Sequence, residues 1–259
     1  MNVRPKKYLG QHFLNDPNVA RKIAGSILGN PSAVLEVGPG TGALTRHLVQ
    51  LFPQLKVVEI DTESIEYLKD HRIVSSENII SADFLTCDLD SLLSKGACIV
   101  GNFPYNISSQ IFFKILGSHD MVSQVVGMVQ YEVAERLAAW PGSKQYGILS
   151  VLLQAFYQIE LLFKVPPSVF FPPPKVNSAV VRLIRNDRGQ LPCHEENFSL
   201  IVKTAFGQRR KMLRNSLRSL LDQQQFMQPR FEKRPEQISV DEFIELACWY
   251  ESVKSQSKH

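Results

Sequence analysis

Ala33-Val34-Leu35-Glu36-Val37-Gly38-Pro39-Gly40-Thr41-Gly42 is the stretch from which the fold can be read. A mostly apolar run enters a glycine-rich turn, and a helical pattern opens near residue 44. Strand, tight turn and helix in direct succession form the first unit of an open α/β sheet. The turn then lies at the carboxyl end of the strand, where such sheets bind ligands. Glycines there let the chain bend and let a ligand approach the backbone. The spacing is G-x-G-x-G rather than the G-x-G-x-x-G of a dinucleotide fingerprint. Pro39 also removes one N–H that a pyrophosphate cradle would use. Alone, such a turn is a weak signal.

Outward from this run, apolar strands alternate with helical patterns from about residue 32 to 183. Strands are expected at 33–37, 55–60, 78–81, 97–101 and 124–130, with helices near 44–51, 63–71 and 108–116. The alternation predicts an α/β fold with a Rossmann-like, mostly parallel, doubly wound sheet. Helices are also expected at 131–140, stopped by Pro141-Gly142-Ser143, and at 146–154. Strand candidates 156–165 and 176–184 flank a proline-rich loop and suit an antiparallel addition at the sheet edge. After Asn186-Asp187-Arg188-Gly189 only helical periodicity remains, as in Phe198, Ile201, Val202, Ala205 and Phe206. The expected division is 1–188 for the α/β domain with its basic N-terminal segment and 189–259 for a small all-helical domain. A frayed polar tail is expected at 252–259.

The 259 residues, 44% apolar and 21% charged, have the composition of a soluble globular protein. No apolar run approaches the roughly 20 residues of a membrane span, and the basic start lacks a signal-peptide core. Cytosol is the expected location. Cys87, Cys98, Cys193 and Cys248 show no C-x-x-C pairing, so neither a metal site nor a disulfide framework is expected.

The net charge of +4 is clustered. Lys203, Arg209, Arg210, Lys211, Arg214 and Arg218 fall in one segment free of acids, and Arg4, Lys6, Lys7, Arg21 and Lys22 form a second group. Such clustering is the footprint of a nucleic-acid partner. A 3.6-residue repeat would put Lys203, Arg210, Lys211 and Arg214 on one helical face.

Polar residues recur at expected strand ends. Glu59 follows the glycine turn by roughly 20 residues, where a carboxylate can accept both hydroxyls of a ribose. An acid there argues against a 2′-phosphorylated cofactor. Asp83 follows the third strand and could accept from an adenine amino group. Asn102-Phe103-Pro104-Tyr105 follows the fourth. That cluster suits a flat exocyclic amine such as adenine N6, held by acceptors from Asn102 and the backbone around Phe103 or Pro104 while Tyr105 stacks on the ring. S-adenosylmethionine fits this crevice better than NAD, because the transferred group must reach Asn102 and no hydride-handling residue is evident. The blander alternatives are helix caps for Glu59 and Asp83 and an ordinary turn for Asn-Phe-Pro-Tyr.

Gly10-Gln11-His12-Phe13-Leu14-Asn15-Asp16, the 36–42 run, Asn102–Tyr105 with Asn106-Ile107-Ser108, and the prolines from Val165-Pro166-Pro167-Ser168 to Pro173-Pro174-Lys175-Val176 together resemble the ribosomal RNA adenine N6,N6-dimethyltransferases. These are class I, S-adenosylmethionine-dependent enzymes. Ala205-Phe206-Gly207-Gln208-Arg209-Arg210-Lys211-Met212-Leu213 is similar to the signature of the small-subunit branch. The likeness runs from about residue 7 to 250. It implies dimethylation of two adjacent adenosines near the 3′ end of 16S rRNA during small-subunit biogenesis.

The resemblance further implies S-adenosylmethionine contacts from His12, Leu14, Gly38, Glu59, Asp83 and Asn102. Asn102, Pro104 and Tyr105 would meet the reacting amine, and Phe170, with Phe171 beside it, would cover the second face of the adenine. Lys203, Arg209, Arg210, Lys211 and Arg214 would contact rRNA in an assembly intermediate, and nothing demands a dimer, so a monomer is expected. His12 stands where the family often has Asn, Phe103 replaces the commoner Leu, and Gly207 stands for Asn. Rival readings are dimethylation of large-subunit rRNA, methylation of DNA adenine or a protein glutamine, and an assembly factor whose binding matters more than its catalysis.

Overall fold

The computed structural model describes residues 3–221, 226 and 229–256. They form two compact units, one of Met1–Ala134 with Gln158–Arg185 and the other of Glu135–Tyr157 with Asn186–His259.

In the first unit, β1 (Phe13–Leu14) and α1 (Pro17–Ala24) precede an alternating series. It runs β2 (Val34–Val37), α2 (Thr45–Leu51), β3 (Lys56–Glu59), α3 (Thr62–Asp70), β4 (Ile79–Ser81), α4 (Leu89–Leu92), β5 (Ala97–Asn102), α5 (Ser108–Gly117) and β6 (Val122–Gln130). After α6 (Tyr131–Leu137) and α7 (Ile148–Gln154) come β7 (Tyr157–Val165), β8 (Phe170–Phe171) and β9 (Ser178–Arg185). The main sheet has the order β4-β3-β2-β5-β6-β9-β7. Strands β2 to β6 pair in parallel, and β9 runs antiparallel to β6 from Gln124↔Ile184 to Gln130↔Ser178. The Rossmann-like sheet with its antiparallel addition is the architecture expected from the sequence.

Strand β2 is buried throughout and β5 is buried up to Asn102, as sheets covered on both faces require. The chain builds outward from β2 through β3 and β4, then crosses back to β5. The order therefore switches between β2 and β5, and a crevice opens at their carboxyl ends.

Phe103 explains two glycines on this sheet. Its ring is buried and packs edge-on to Phe112, with centroids 5.7 Å apart. Gly101 pairs with Gly127 across β5 and β6. A Cβ on Gly127 would come within 2.5 Å of the Phe103 ring. The bulk of Phe103 is thus accommodated by missing side chains beneath it.

Two features were not evident from periodicity. Asp16 caps α1, accepting from the amides of Asn18 and Val19 at 2.8 and 3.2 Å, with Pro17 in the first turn. Strands β1 and β8 form a separate antiparallel pair, Phe13↔Phe171 and Leu14↔Phe170. Two-residue strands carry too little pattern to be read locally.

The second unit contains α7, α8 (Glu195–Gly207), α9 (Leu213–Ser216) and α10 (Val240–Gln256). The stretch Glu135–Tyr157 packs here, whereas the sequence boundary near 188 assigned it to the α/β domain. Leu149, Val151, Leu152 and Leu153 of α7 are all buried, and Tyr146 meets Phe206 edge-on at 6.1 Å. An apolar helix signals burial but not in which core. The expected fraying from 252 is also corrected, because α10 continues as helix to Gln256; residues 257–259 lie outside the described residues.

Candidate active site

The turn after β2 uses left-handed backbone at Gly38, Gly40 and Gly42, with φ of 67°, 53° and 78°. A side chain there would be strained. Glu59, at the end of β3, holds this turn. Its Oε2 accepts from the Gly40 amide at 3.0 Å, and its Oε1 accepts from the amides of Ile60 and Asp61, both at 2.9 Å. Burial pushes the Glu59 carboxyl up, against the pull of those three N–H groups. A carboxylate offers about four acceptor positions, so the remaining one lies chiefly on Oε2. Oε2 is therefore the less engaged of the two oxygens. Glu59 caps no helix; Asp61 caps α3.

Asp83 is a cap that also faces the cleft. It caps the short turn Phe84–Thr86, with Oδ1 accepting from the Leu85 amide at 2.9 Å, and it lines the same cavity as Glu59. Asn102, the last residue of β5, donates from Nδ2 to the His12 carbonyl at 2.8 Å. With the nitrogen so committed, Oδ1 is the acceptor left for a ligand. The Pro104 carbonyl accepts from the Ile107 amide at 3.2 Å and retains a second lone pair. Tyr105 is tied through its hydroxyl to Ser178 Oγ, and burial raises its pKa against that bond.

His12, Leu14, Gly38, Glu59, Asp83, Asn102, Pro104 and Tyr105 all line one cleft. The eight are brought together from segments scattered over the first 105 residues.

Phe170 does not join them. It is 4% exposed, inside an apolar cluster with Leu14 and Val165, whereas Phe171 is 57% exposed. Neighbours in an extended strand point to opposite faces, and β8 turns Phe170 inward. The expectation that Phe170 covers a base is not met by this arrangement. Phe171 is the accessible ring. The face of Tyr105 is instead met by His12, with ring centroids 5.2 Å apart at 29°, and His12 Nδ1 donates to the Pro172 carbonyl at 2.7 Å.

One wall of the cleft is the segment 9–14, and a small polar network pins it. The Lys6 amide donates to Gln11 Oε1 at 2.8 Å, Gln11 Nε2 donates to Asp61 Oδ2 at 3.2 Å, and the Lys6 ammonium pairs with Asp61 and Glu63. Burial works to raise the Asp61 pKa, but Lys6, Gln11 and Ser64 outweigh it and hold the carboxyl below the usual range. Lys6, partly open to water, is therefore neutralised by these two acids and adds little free charge to the basic N-terminal group.

Glu36, in the strand that enters the glycine turn, is a site residue that the sequence reading misses. It is buried, it lines the cleft, and its Oε2 has no hydrogen-bond partner among the described residues. Burial pushes its pKa up to about 8, opposed by the Thr45 side chain and reinforced by the charge of Glu59. An acid inside an apolar strand was the available signal. Glu36 and the open side of Gly38, where a Cβ would meet nothing within 4 Å, both suit a polar ligand seated on the turn.

The basic residues of the second unit do not share one helix face. Helix α8 ends at Gly207, Gln208 has φ −125° and ψ 51°, and α9 starts only at Leu213. Lys203 lies on α8 and Arg214 on α9, while Arg209, Arg210 and Lys211 occupy the turn between them. Phe206 before the break and Leu213 after it are both buried and anchor the turn at its two ends. Arg210, Lys211, Arg214 and Arg218 are exposed, and Arg209 is half-buried.

Among the described residues no cluster of His, Cys, Asp and Glu has the make-up of a metal site, and no helix is long and apolar enough to cross a membrane.

The model of a protein family described as ribosomal RNA adenine dimethylase matches residues 2–251. The chain belongs to that family. It is 54% identical over 248 residues to ribosomal RNA small subunit methyltransferase A of Phocaeicola vulgatus, covering 94% of this chain and 89% of the relative. The protein of the same name from Parabacteroides distasonis is 53% identical over 247 residues, covering 94% and 93%. Among solved structures, a dimethyladenosine transferase from Plasmodium falciparum superposes with a TM-score of 0.79 at 24% identity, covering 93% of this chain and 98% of that one, which bears on the fold. The 23S rRNA methyltransferase ErmE superposes with a TM-score of 0.67 at 26% identity, covering 90% and 98%. The glycine turn, Glu59 and Asn102 thus belong to a dimethylase fold.

Proposed function

We propose that this protein is an S-adenosylmethionine-dependent rRNA adenine N6,N6-dimethyltransferase acting on two adjacent adenosines near the 3′ end of 16S rRNA. The observation that carries the reading is the Asn102 carboxamide. Its nitrogen is held by the His12 carbonyl, so its oxygen is presented to the cleft that Glu59 and the glycine turn also line.

S-adenosylmethionine supplies a methyl group on a sulfonium, whose departure as a neutral thioether needs no acid. Gly38, Glu59, Asp83, Leu14, His12 and Asn102 would hold it. Positioning and charge stabilisation then account for the catalysis asked of the protein. Asn102 Oδ1 would accept one N6 hydrogen and a backbone carbonyl at Phe103 or Pro104 the other, stabilising the positive charge on N6 as its bond to the methyl carbon forms and the carbon–sulfur bond breaks; the N6 proton would then pass to solvent. Tyr105 stacks on the base, which requires the His12 ring to yield or the opposite face to be used. Phe170 or Phe171 would supply the covering ring, Phe171 being the more exposed of the two. This follows the general strategy for enzymes that modify swung-out bases.

In this reading Lys203, Arg209, Arg210, Lys211 and Arg214 contact the rRNA backbone, and a monomer acts in the cytosol on an assembly intermediate of the small subunit. The 54% identity to a small-subunit methyltransferase favours this branch over the large-subunit activity named for ErmE. Undermethylated small and large subunits, incubated separately with the protein and labelled S-adenosylmethionine, decide between the two. Dimethyladenosine in 16S rRNA, read by mass spectrometry, is the expected product. Label confined to the large subunit would overturn the choice.

A further inference from the structure

We propose that Trp140 is a stacking platform for an unpaired base of the bound RNA. The proposal rests on the reading that the helical unit contacts rRNA, and it adds a residue that reading does not include. Trp140 is 76% exposed, a degree that among the large apolar side chains of the described residues is shared only by Tyr8.

The ring is exposed although the backbone around it is fastened. Ala139 before it is buried. The Ser143 amide donates to the Trp140 carbonyl at 3.2 Å, and the Gly142 amide donates to the Glu236 carbonyl at 2.6 Å. The Tyr146 amide donates to Ser143 Oγ at 3.2 Å, and the Tyr146 ring is fully buried. A loop tied at three points that still leaves its indole in water offers a rigid apolar face with little entropy left to lose on binding.

The charge beside this face selects the partner. Arg209 Nη2 donates to the Ser143 carbonyl at 3.2 Å and fastens the Trp140 loop to the segment that continues into exposed Arg210 and Lys211. Lys144, on the loop itself, is exposed as well. An exposed aromatic ring on a loop that carries Lys144 and is bonded to Arg209 fits a polyanion whose repeating units each carry a π face, which describes single-stranded nucleic acid. Stacking of this kind tolerates any base.

The test uses the full-length protein with small subunits and with a short unpaired RNA oligonucleotide. Trp140→Ala is expected to weaken binding to both by roughly 10-fold or more. The slope of affinity against salt should hold, because no phosphate contact is lost. Turnover at saturating subunit should also hold, as should the unfolding temperature. Trp140→Phe is expected to restore most of the affinity. Indole fluorescence of the unaltered protein is expected to fall on adding the oligonucleotide, and Trp140→Phe should abolish that fall. In parallel, Lys211→Ala should weaken binding and reduce the salt slope by about one.

If Trp140→Ala binds as the unaltered protein does while Lys211→Ala binds weakly, the platform is refuted and the RNA reading stands. If neither variant changes binding, both fall. If Trp140→Ala binds weakly but Phe does not restore affinity and no fluorescence change depends on residue 140, the ring meets a protein surface and the proposal is overturned.

Discussion

Asn102 and His12, 90 residues apart in the chain, are joined by a 2.8 Å hydrogen bond from the amide nitrogen of one to the carbonyl oxygen of the other. The bond orients the Asn102 oxygen and anchors the segment that walls the cleft. Asn102→Ala removes both effects. Turnover should fall by about 10²–10³-fold, as for loss of an oriented polar group at a reacting centre. Binding to the small subunit should persist in a filter assay. Unchanged turnover in single-turnover kinetics would rule out the mechanism.

Glu59→Gln keeps the shape but sets an amide NH₂ against at least one of the three backbone N–H donors. The lost or opposed bonds should cost about 1–3 kcal/mol of stability. Thermal unfolding reads that loss. Calorimetry with S-adenosylhomocysteine reads the accompanying fall in affinity, expected at about 10-fold or more for a bond to a charged group. An affinity equal to the original would remove Glu59 from the donor site.

Lys6→Met cuts the ammonium link to Asp61 and Glu63 while keeping most of the aliphatic stem. The unfolding temperature should barely move, because the lysine is partly open to water. Donor release should quicken several-fold in stopped-flow measurements as the 9–14 wall loosens. Asp61→Ala should do the same and in addition lose its cap on α3, at about 1 kcal/mol. Equal release rates in all three proteins would show that the wall does not gate the cleft.

Glu36 makes stability depend on pH. Its carboxyl is shifted up to about 8 from an ordinary 4.5, so between those values the folded chain holds a proton that the unfolded chain has released. Stability contributed by the neutral acid is present at low pH and declines as pH rises through this window. Denaturant titrations from about pH 5 to about pH 8 should show the decline. Glu36→Gln, which mimics the neutral form, should flatten it. A slope that survives the substitution would place its origin elsewhere.

Gly127→Ala sets a methyl where the Phe103 ring already lies. The sheet must shift or the ring must turn, at about 1–3 kcal/mol for overpacking. Pairing the change with Phe103→Leu should recover much of the loss. A double variant no more stable than Gly127→Ala alone would mean the contact is not the cause.

How much of this was legible in the sequence varies with the distance over which each property is set. Strands β2, β3 and β5 could be read because burial on both faces writes itself into consecutive apolar residues. The polar residues at strand ends, Glu59 of β3, Asp83 after β4 and Asn102 of β5, could be read because a parallel sheet brings its carboxyl ends to one edge. The pairing of β1 with β8 could not, since each partner is two residues long. Nor could the break at Gln208, which a helical repeat passes over.

The chain's local pattern by itself determined the sheet, its glycine turn and which polar residues meet at the cleft, because these depend on periodicity and on residue type at strand ends. Only the tertiary structure decided that Phe170 turns inward and Phe171 outward, that Lys6 pairs with Asp61, that Glu36 is buried beside Glu59 with its carboxyl pushed up and that Glu135–Tyr157 packs with the helical unit. Each of these depends on what a side chain meets from a segment far away in sequence, and burial, charge and hydrogen bonding acquire their values only once that partner is in place.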